Sequence, residues 1–217
     1  MVNRVELVKP RLRGMIHAVT APLTVIISIA LFILASGAKA KVSIVVFGLS
    51  ALILFGHSAI YHRGTWSTRM AAAMRRIDHS NIFLLIAGTY TPLSVLLLDR
   101  PTARLVLVLV WGGAIIGILL RVFWLNAPRW LYVPLYIALG WVAVWFLPQF
   151  SAAGRPAIVW LVIAGGIIYT LGAVVYATRW PDPSPRWFGF HEIFHLCTVG
   201  GYACHAIAVF LALTVTS

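Results

Sequence analysis

Seven apolar runs recur along this chain, each near the roughly 20 residues that carry a helix across a bilayer. Inside a bilayer the backbone must satisfy its own hydrogen bonds, and a helix does so within one segment. The runs fall at about 15–36, 41–62, 78–98, 102–123, 130–149, 156–178 and 190–213. Turn-forming residues separate them: Gly37, Asp99-Arg100-Pro101, Asn126-Ala127-Pro128, Gly154-Arg155-Pro156 and Pro181-Asp182-Pro183-Ser184-Pro185. The expected fold class is therefore an all-α integral membrane protein, a seven-transmembrane-helix bundle. Residues 1–14 read as a basic N-terminal segment and 15–217 as one membrane domain without internal repeats. The first run does not read as a cleaved signal peptide, because it is long, follows a basic stretch and precedes many similar runs.

Composition excludes the soluble alternatives. The chain is 61% hydrophobic and 10% charged, with a mean hydropathy of +0.95, too little polar surface for a water-soluble domain. A net charge of +12 would suit a nucleic-acid partner, but the basic residues form no face and sit in short loops between apolar runs. There they act as topology signals. On the N-terminal side lie Arg4, Lys9, Arg11, Arg13, Arg63, Arg69, Arg75, Arg76, Arg121, Arg129, Arg179 and Arg186. The other side holds Lys39, Lys41, Arg100, Arg104 and Arg155, a division of 12 against 5. The positive-inside rule then puts the N-terminus in the cytoplasm and the C-terminus outside. Trp66, Trp124, Trp130, Trp180 and Trp187 fall at the same cytoplasmic interface, as aromatic belts do. The expected partners are membrane lipids and no nucleic acid. Gly112-Gly113 and Gly165-Gly166 would permit close helix approach, within the bundle or between protomers. Cys197 and Cys204 are about 10 Å apart along a helix, too far for a disulfide, and read as buried small apolar side chains.

Polar residues then collect at one depth. His57, Ser58 and His62 end the second run, Asp78 to Asn81 begin the third, His191 and His195 begin the seventh, and His17 begins the first. Ionisable groups at membrane depth are costly and mark functional candidates. His191 and His195 lie four apart on one helix face, a ready metal-binding pair. His62 could complete three tetrahedral zinc (Zn2+) positions, leaving the fourth for water. Asp78 could hold that water, act as general base or supply a counter-charge. Ser58 shares a helix face with His62, although serine is also common at helix contacts in membranes. His57 and His79 point away from these faces, His79 towards the interface. His17 and His205 read as supporting or packing groups, His205 about 15 Å deeper than His195. His191-Glu192-Ile193-Phe194-His195 also fits H-E-x-x-H, in which the glutamate is the base of a metalloprotease.

At these residues the chain resembles the haemolysin III family, within the progestin and adipoQ receptor superfamily. Ser58-Ala59-Ile60-Tyr61-His62 is similar to the family's S-x-x-x-H motif, and Ile77-Asp78-His79-Ser80 to its aspartate motif. Ala87-Gly88-Thr89-Tyr90-Thr91-Pro92, the pattern Gly165-Gly166, Tyr169, Gly172 and Tyr176, and His191 to His195 continue the resemblance over nearly the whole chain. It implies a seven-helix bundle with zinc held by His62, His191 and His195, Asp78 near the zinc-bound water and Ser58 in support. The related adiponectin receptors carry a non-acidic residue where Glu192 stands, which favours Asp78 as base. The wider superfamily resembles alkaline ceramidases and other membrane hydrolases. This implies hydrolysis of a lipid amide or ester, in membrane lipid homeostasis, at a bacterial inner membrane. The alternatives are a sensor or regulator with structural zinc, and an oligomeric haemolysin-type pore. A monomeric pore is disfavoured because Leu105–Val110 and Ile207–Leu213 are entirely apolar. A proton-coupled transporter would want acidic residues at the midplane, and Asp78 lies too near one interface.

Overall fold

The computed structural model describes residues 10–124, 127–153 and 155–216. Arg4, Lys9, Asn126 and Gly154, named above as charges or breaks, lie outside the described residues. Seven helices are long and apolar enough to cross a membrane. They are α1 (Met15–Leu34), α2 (Gly37–Arg63), α3 (Thr68–Leu97), α4 (Arg100–Phe123), α5 (Arg129–Ala153), α6 (Pro156–Thr178) and α7 (Phe190–Thr216). Among the described residues there is no strand, only an isolated bridge between Ser184 and Phe188. Asp99 caps α4 by accepting from Thr102 N, and that bond holds its carboxyl below the usual range.

Sequential helices pack side by side, and α1 and α3 both meet α7, which closes the bundle. α3 is the central and most buried helix, whereas α1 turns most of its residues outward. The outward residues are those lipid tails would cover, such as Val19, Ile26 and Ile33 on α1. Lipid is as apolar as the core, so close packing holds the helices together rather than the hydrophobic effect. The paired glycines serve that packing within the bundle. A Cβ on Gly113 would lie 2.7 Å from Leu139 Cδ1, and one on Gly165 2.7 Å from His205 Cε1. Gly112 meets nothing.

Two helices differ from the expected spans. α3 starts at Thr68, ten residues before the predicted 78. Ser67 caps it by accepting from Met70 N, and the Met, Ala and Arg residues that follow are strong helix formers. Asp78 therefore sits almost three turns inside a helix, about 15 Å from its start, rather than at its beginning. α5 changes character midway: α-helical over Arg129–Gly140, 3-10 over Trp141–Phe146, then α-helical over Leu147–Ala153. The Tyr90 hydroxyl repairs the junction by donating to Gly140 O (2.7 Å) and accepting from Ala143 N (2.6 Å). Irregular backbone at membrane depth needs such buried partners.

Candidate metal centre

The end of the bundle where α1 begins gathers the polar residues. His62 lies in the last turn of α2, and His191 and His195 occupy the first two turns of α7. Each offers one ring nitrogen, and these three atoms lie within 4.8 Å of one another. The Nε2 atoms of His62 and His191 are 3.2 Å apart. All three rings are buried, with exposures of 8%, 9% and 2%. Three buried imidazoles with clustered nitrogens can hold a metal ion. Asp78 Oδ2 reaches His62 Nε2 at 3.6 Å from α3, so the group draws on three helices. Ser58, also buried, lines a small cavity with Asp78, His191 and His195. That cavity, ≈ 20 Å³, has room for about one water.

His17 is part of this end as well. Its ring stacks on His195 at 3.7 Å between centroids and meets Phe55 edge-on. His57 stands apart, with Nε2 bonded to Met74 O at 3.0 Å. Cys197 and Cys204 are free, as expected, but partly exposed rather than buried.

Glu192 is occupied elsewhere. Its side chain pairs with Arg13, and Oε2 accepts from Gly189 N at 2.8 Å. Asp182 Oδ1 accepts from Phe190 N, so two carboxylates satisfy the free N–H groups at the start of α7. Arg13 belongs to a strap over this end: Arg11 N bonds Arg186 O, Leu12 N bonds Trp187 O, and Arg11 lies over the Trp187 ring. Gly14 makes the approach possible. Its φ is 78°, and a Cβ there would sit 2.9 Å from His62 Cβ. The H-E-x-x-H pattern thus carries a helix-terminus pair here, not a free base.

Two residues differ from their sequence assignments. His79 was expected to face the interface, but it lies within the bundle. Its Nδ1 accepts from Arg121 Nη2 at 2.5 Å, its Nε2 lies 3.3 Å from the Tyr176 hydroxyl, and its carbonyl accepts from Tyr136. Arg121 was counted as a loop charge, yet it is 1% exposed, with its guanidinium 4.1 Å over the Tyr132 ring. Tyr132 of α5 and Tyr176 of α6 lie beside the His79 ring, and Arg129 lies over Tyr176. Sequence reasoning missed this buried cation and its aromatic neighbour. The available signal was an arginine three residues inside the end of an apolar helix.

A second, larger cavity of ≈ 110 Å³ runs among α3, α5, α6 and α7. Its walls are almost wholly apolar, and it shares Leu54, Ile82, Tyr136, Tyr176, Phe194 and Thr198 with the small cavity. A small chamber bordered by Asp78 and the histidines therefore adjoins a larger apolar one.

Comparison with known proteins agrees with this architecture. The family model described as haemolysin-III related matches residues 5–206. Hemolysin-3 of Bacillus cereus is 30% identical over 207 residues, covering 94% of this chain and 91% of that protein. A hemolysin-3 homolog of Bacillus subtilis (strain 168) is 32% identical over 162 residues, 75% of this chain and 73% of the relative. An adiponectin receptor protein of Drosophila melanogaster is 28% identical over 189 residues, 74% of this chain and 41% of that longer protein. With its seven spanning helices, this chain belongs to the haemolysin III family, within the progestin and adipoQ receptor superfamily, as a multi-pass integral protein of the bacterial plasma membrane.

Proposed function

We propose that the protein is a zinc-dependent hydrolase of a lipid amide or ester, with its N-terminus and metal centre towards the cytoplasm. One observation carries this reading: a three-histidine and one-aspartate cluster opens beside an apolar cavity suited to an acyl chain. The residues fit the metal. Tetrahedral zinc with Zn–N bonds of 2.0–2.1 Å separates its ligand nitrogens by about 3.3 Å, and His62 and His191 hold theirs at 3.2 Å. His62, His191 and His195 would be the ligands. Bound zinc acts as a Lewis acid towards a carbonyl oxygen and makes water a stronger acid.

The remaining work falls to the chain itself. Asp78 takes a proton from the attacking water at its carboxylate and returns it to the departing amine or alcohol. Its Oδ2 lies 3.6 Å from His62 Nε2, which places the carboxylate beside the centre. Ser58 holds the water or a ligand ring by a hydrogen bond from the cavity wall. The apolar cavity takes the acyl tail and keeps bulk water out. The test is release of fatty acid from N-acyl amides and acyl esters by purified protein. Asp78→Ala should cut turnover by about 10²–10⁴-fold while zinc is retained. Full activity in that variant would refute the assignment.

A regulator with structural zinc is the second reading, and one observation favours it. α2 reaches α7 through long side chains: Phe47 and Phe55 against Tyr202, and His62 against His191. A metal at the three histidines would tie these two helices at one end. In that case Asp78→Ala should weaken the metal site or the fold.

A further inference from the structure

The larger cavity holds two polar groups that hydrolysis at the metal centre does not use. Most polar side chains along its wall are satisfied inside the protein. Thr89 donates to Leu85 O, Thr198 to Phe194 O, Tyr90 to Gly140 O, and Trp141 to the Thr170 hydroxyl. His205 and Tyr169 are the exception. His205 Nδ1 and the Tyr169 hydroxyl are buried and make no hydrogen bond, and His205 is only 8% exposed. Their rings stack at 5.4 Å with an interplanar angle of 26°, and both line the cavity. The carbonyls of Val162 and Gly201 flank the imidazole.

Glycines make space for this pair. A Cβ on Gly165 would lie 2.7 Å from His205 Cε1, and one on Gly201 2.6 Å from Tyr169 Cδ1. Each ring thus lies where a larger residue on the opposite helix would exclude it. A buried polar group left unpaired is costly in an apolar wall. The two residues, adjacent and lining the cavity wall, form a site for a polar atom of a ligand.

We propose that His205 and Tyr169 form a polar subsite for a hydroxyl or keto group carried part-way along an acyl chain. The proposal rests on the acyl-chain reading of the cavity. His205 lies ten residues beyond His195 on α7, about 15 Å by helix rise. A chain whose carbonyl sits at the metal centre would bring a mid-chain oxygen, not its first carbons, to the pair. A hydroxyl both donates and accepts, so it can bond with either group. A keto oxygen accepts from Tyr169.

The test compares octadecanoate with 12-hydroxyoctadecanoate on the full-length protein in nanodiscs, by competition against a fluorescent fatty acid. The hydroxylated chain should bind roughly fivefold tighter, the worth of one net hydrogen bond. Tyr169→Phe and His205→Leu should reduce that preference to less than about twofold. If His205→Leu does not fold, Tyr169→Phe decides, since it removes only the hydroxyl. Equal binding of the two chains by the wild type, or a preference retained in Tyr169→Phe, would overturn the subsite alone. Binding of neither chain would overturn the acyl-chain reading and the subsite with it.

Discussion

Glu192→Gln separates the two carboxylates of the metal end by role. Glu192 is completely buried, paired with Arg13 and bonded to Gly189 N. Glutamine keeps the shape and one acceptor oxygen but removes the charge. Removing one partner of a buried ion pair costs about 3–5 kcal/mol. Two features lower that here. The Arg13 side chain is 20% exposed and can turn to water, and the amide oxygen still accepts one bond. The expected loss is about 1–3 kcal/mol. Since Arg13 ties the strap to α7, the same change should loosen the bonds from Arg11 N to Arg186 O and from Leu12 N to Trp187 O.

The assay pairs an unfolding midpoint with hydrogen exchange at residues 11–14, metal content and acyl hydrolysis. The variant should unfold earlier, exchange faster in the strap, retain its metal, and hydrolyse at the rate its folded fraction allows. Asp78→Asn should show the reverse pattern, with folding and metal largely kept and hydrolysis lost. A Glu192→Gln protein as stable as wild type, fully metal-loaded and inactive would refute the reasoning. Glu192 would then be the base, as in a zincin.

Two further outcomes follow from the packing. Tyr90→Phe strips Gly140 O and Ala143 N of their shared partner at the 3-10 junction of α5. It should cost about 1–2 kcal/mol, read as a lower unfolding midpoint and faster amide exchange at Ala143; an unchanged midpoint would mean that the junction satisfies itself. Chelation should lower the unfolding temperature of the wild type, added zinc should restore it, and each tenfold rise in free zinc above its Kd should add about 1.4 kcal/mol. His191→Ala with His195→Ala should abolish both the bound metal and this response, and a midpoint insensitive to chelation would remove the tie between α2 and α7.

The seven spans and the His191–His195 pair could be read from the chain because each depends on local spacing, whereas His62 joined them through its depth in the second run and the family resemblance. Hydropathy over about 20 residues marks a span, and a separation of four puts His191 and His195 on one face. The start of α3 escaped that reading because hydropathy stops at the membrane edge while helix propensity does not. Thr68 to Arg76 is too polar for lipid, yet Ala, Met and Arg carry the helix through it. Glu192 escaped for a different reason. A five-residue motif fixes which face a side chain takes, but not that Arg13, 179 positions earlier, waits there.

Arg121 shows why a charge near the end of an apolar run needs two readings at once. Position alone makes it a topology signal. What makes it interior is the company of His79 on α3, Tyr132 and Tyr136 on α5 and Tyr176 on α6, all remote in sequence. A cation buried without a carboxylate partner at its own guanidinium survives by sharing its charge with a ring nitrogen and an aromatic face. Once Arg121 is set aside as an interior group, the remaining basic residues still divide 11 against 5. The positive-inside argument therefore does not depend on it, and the same arginine is free to act as a structural cation one helix away from Asp78.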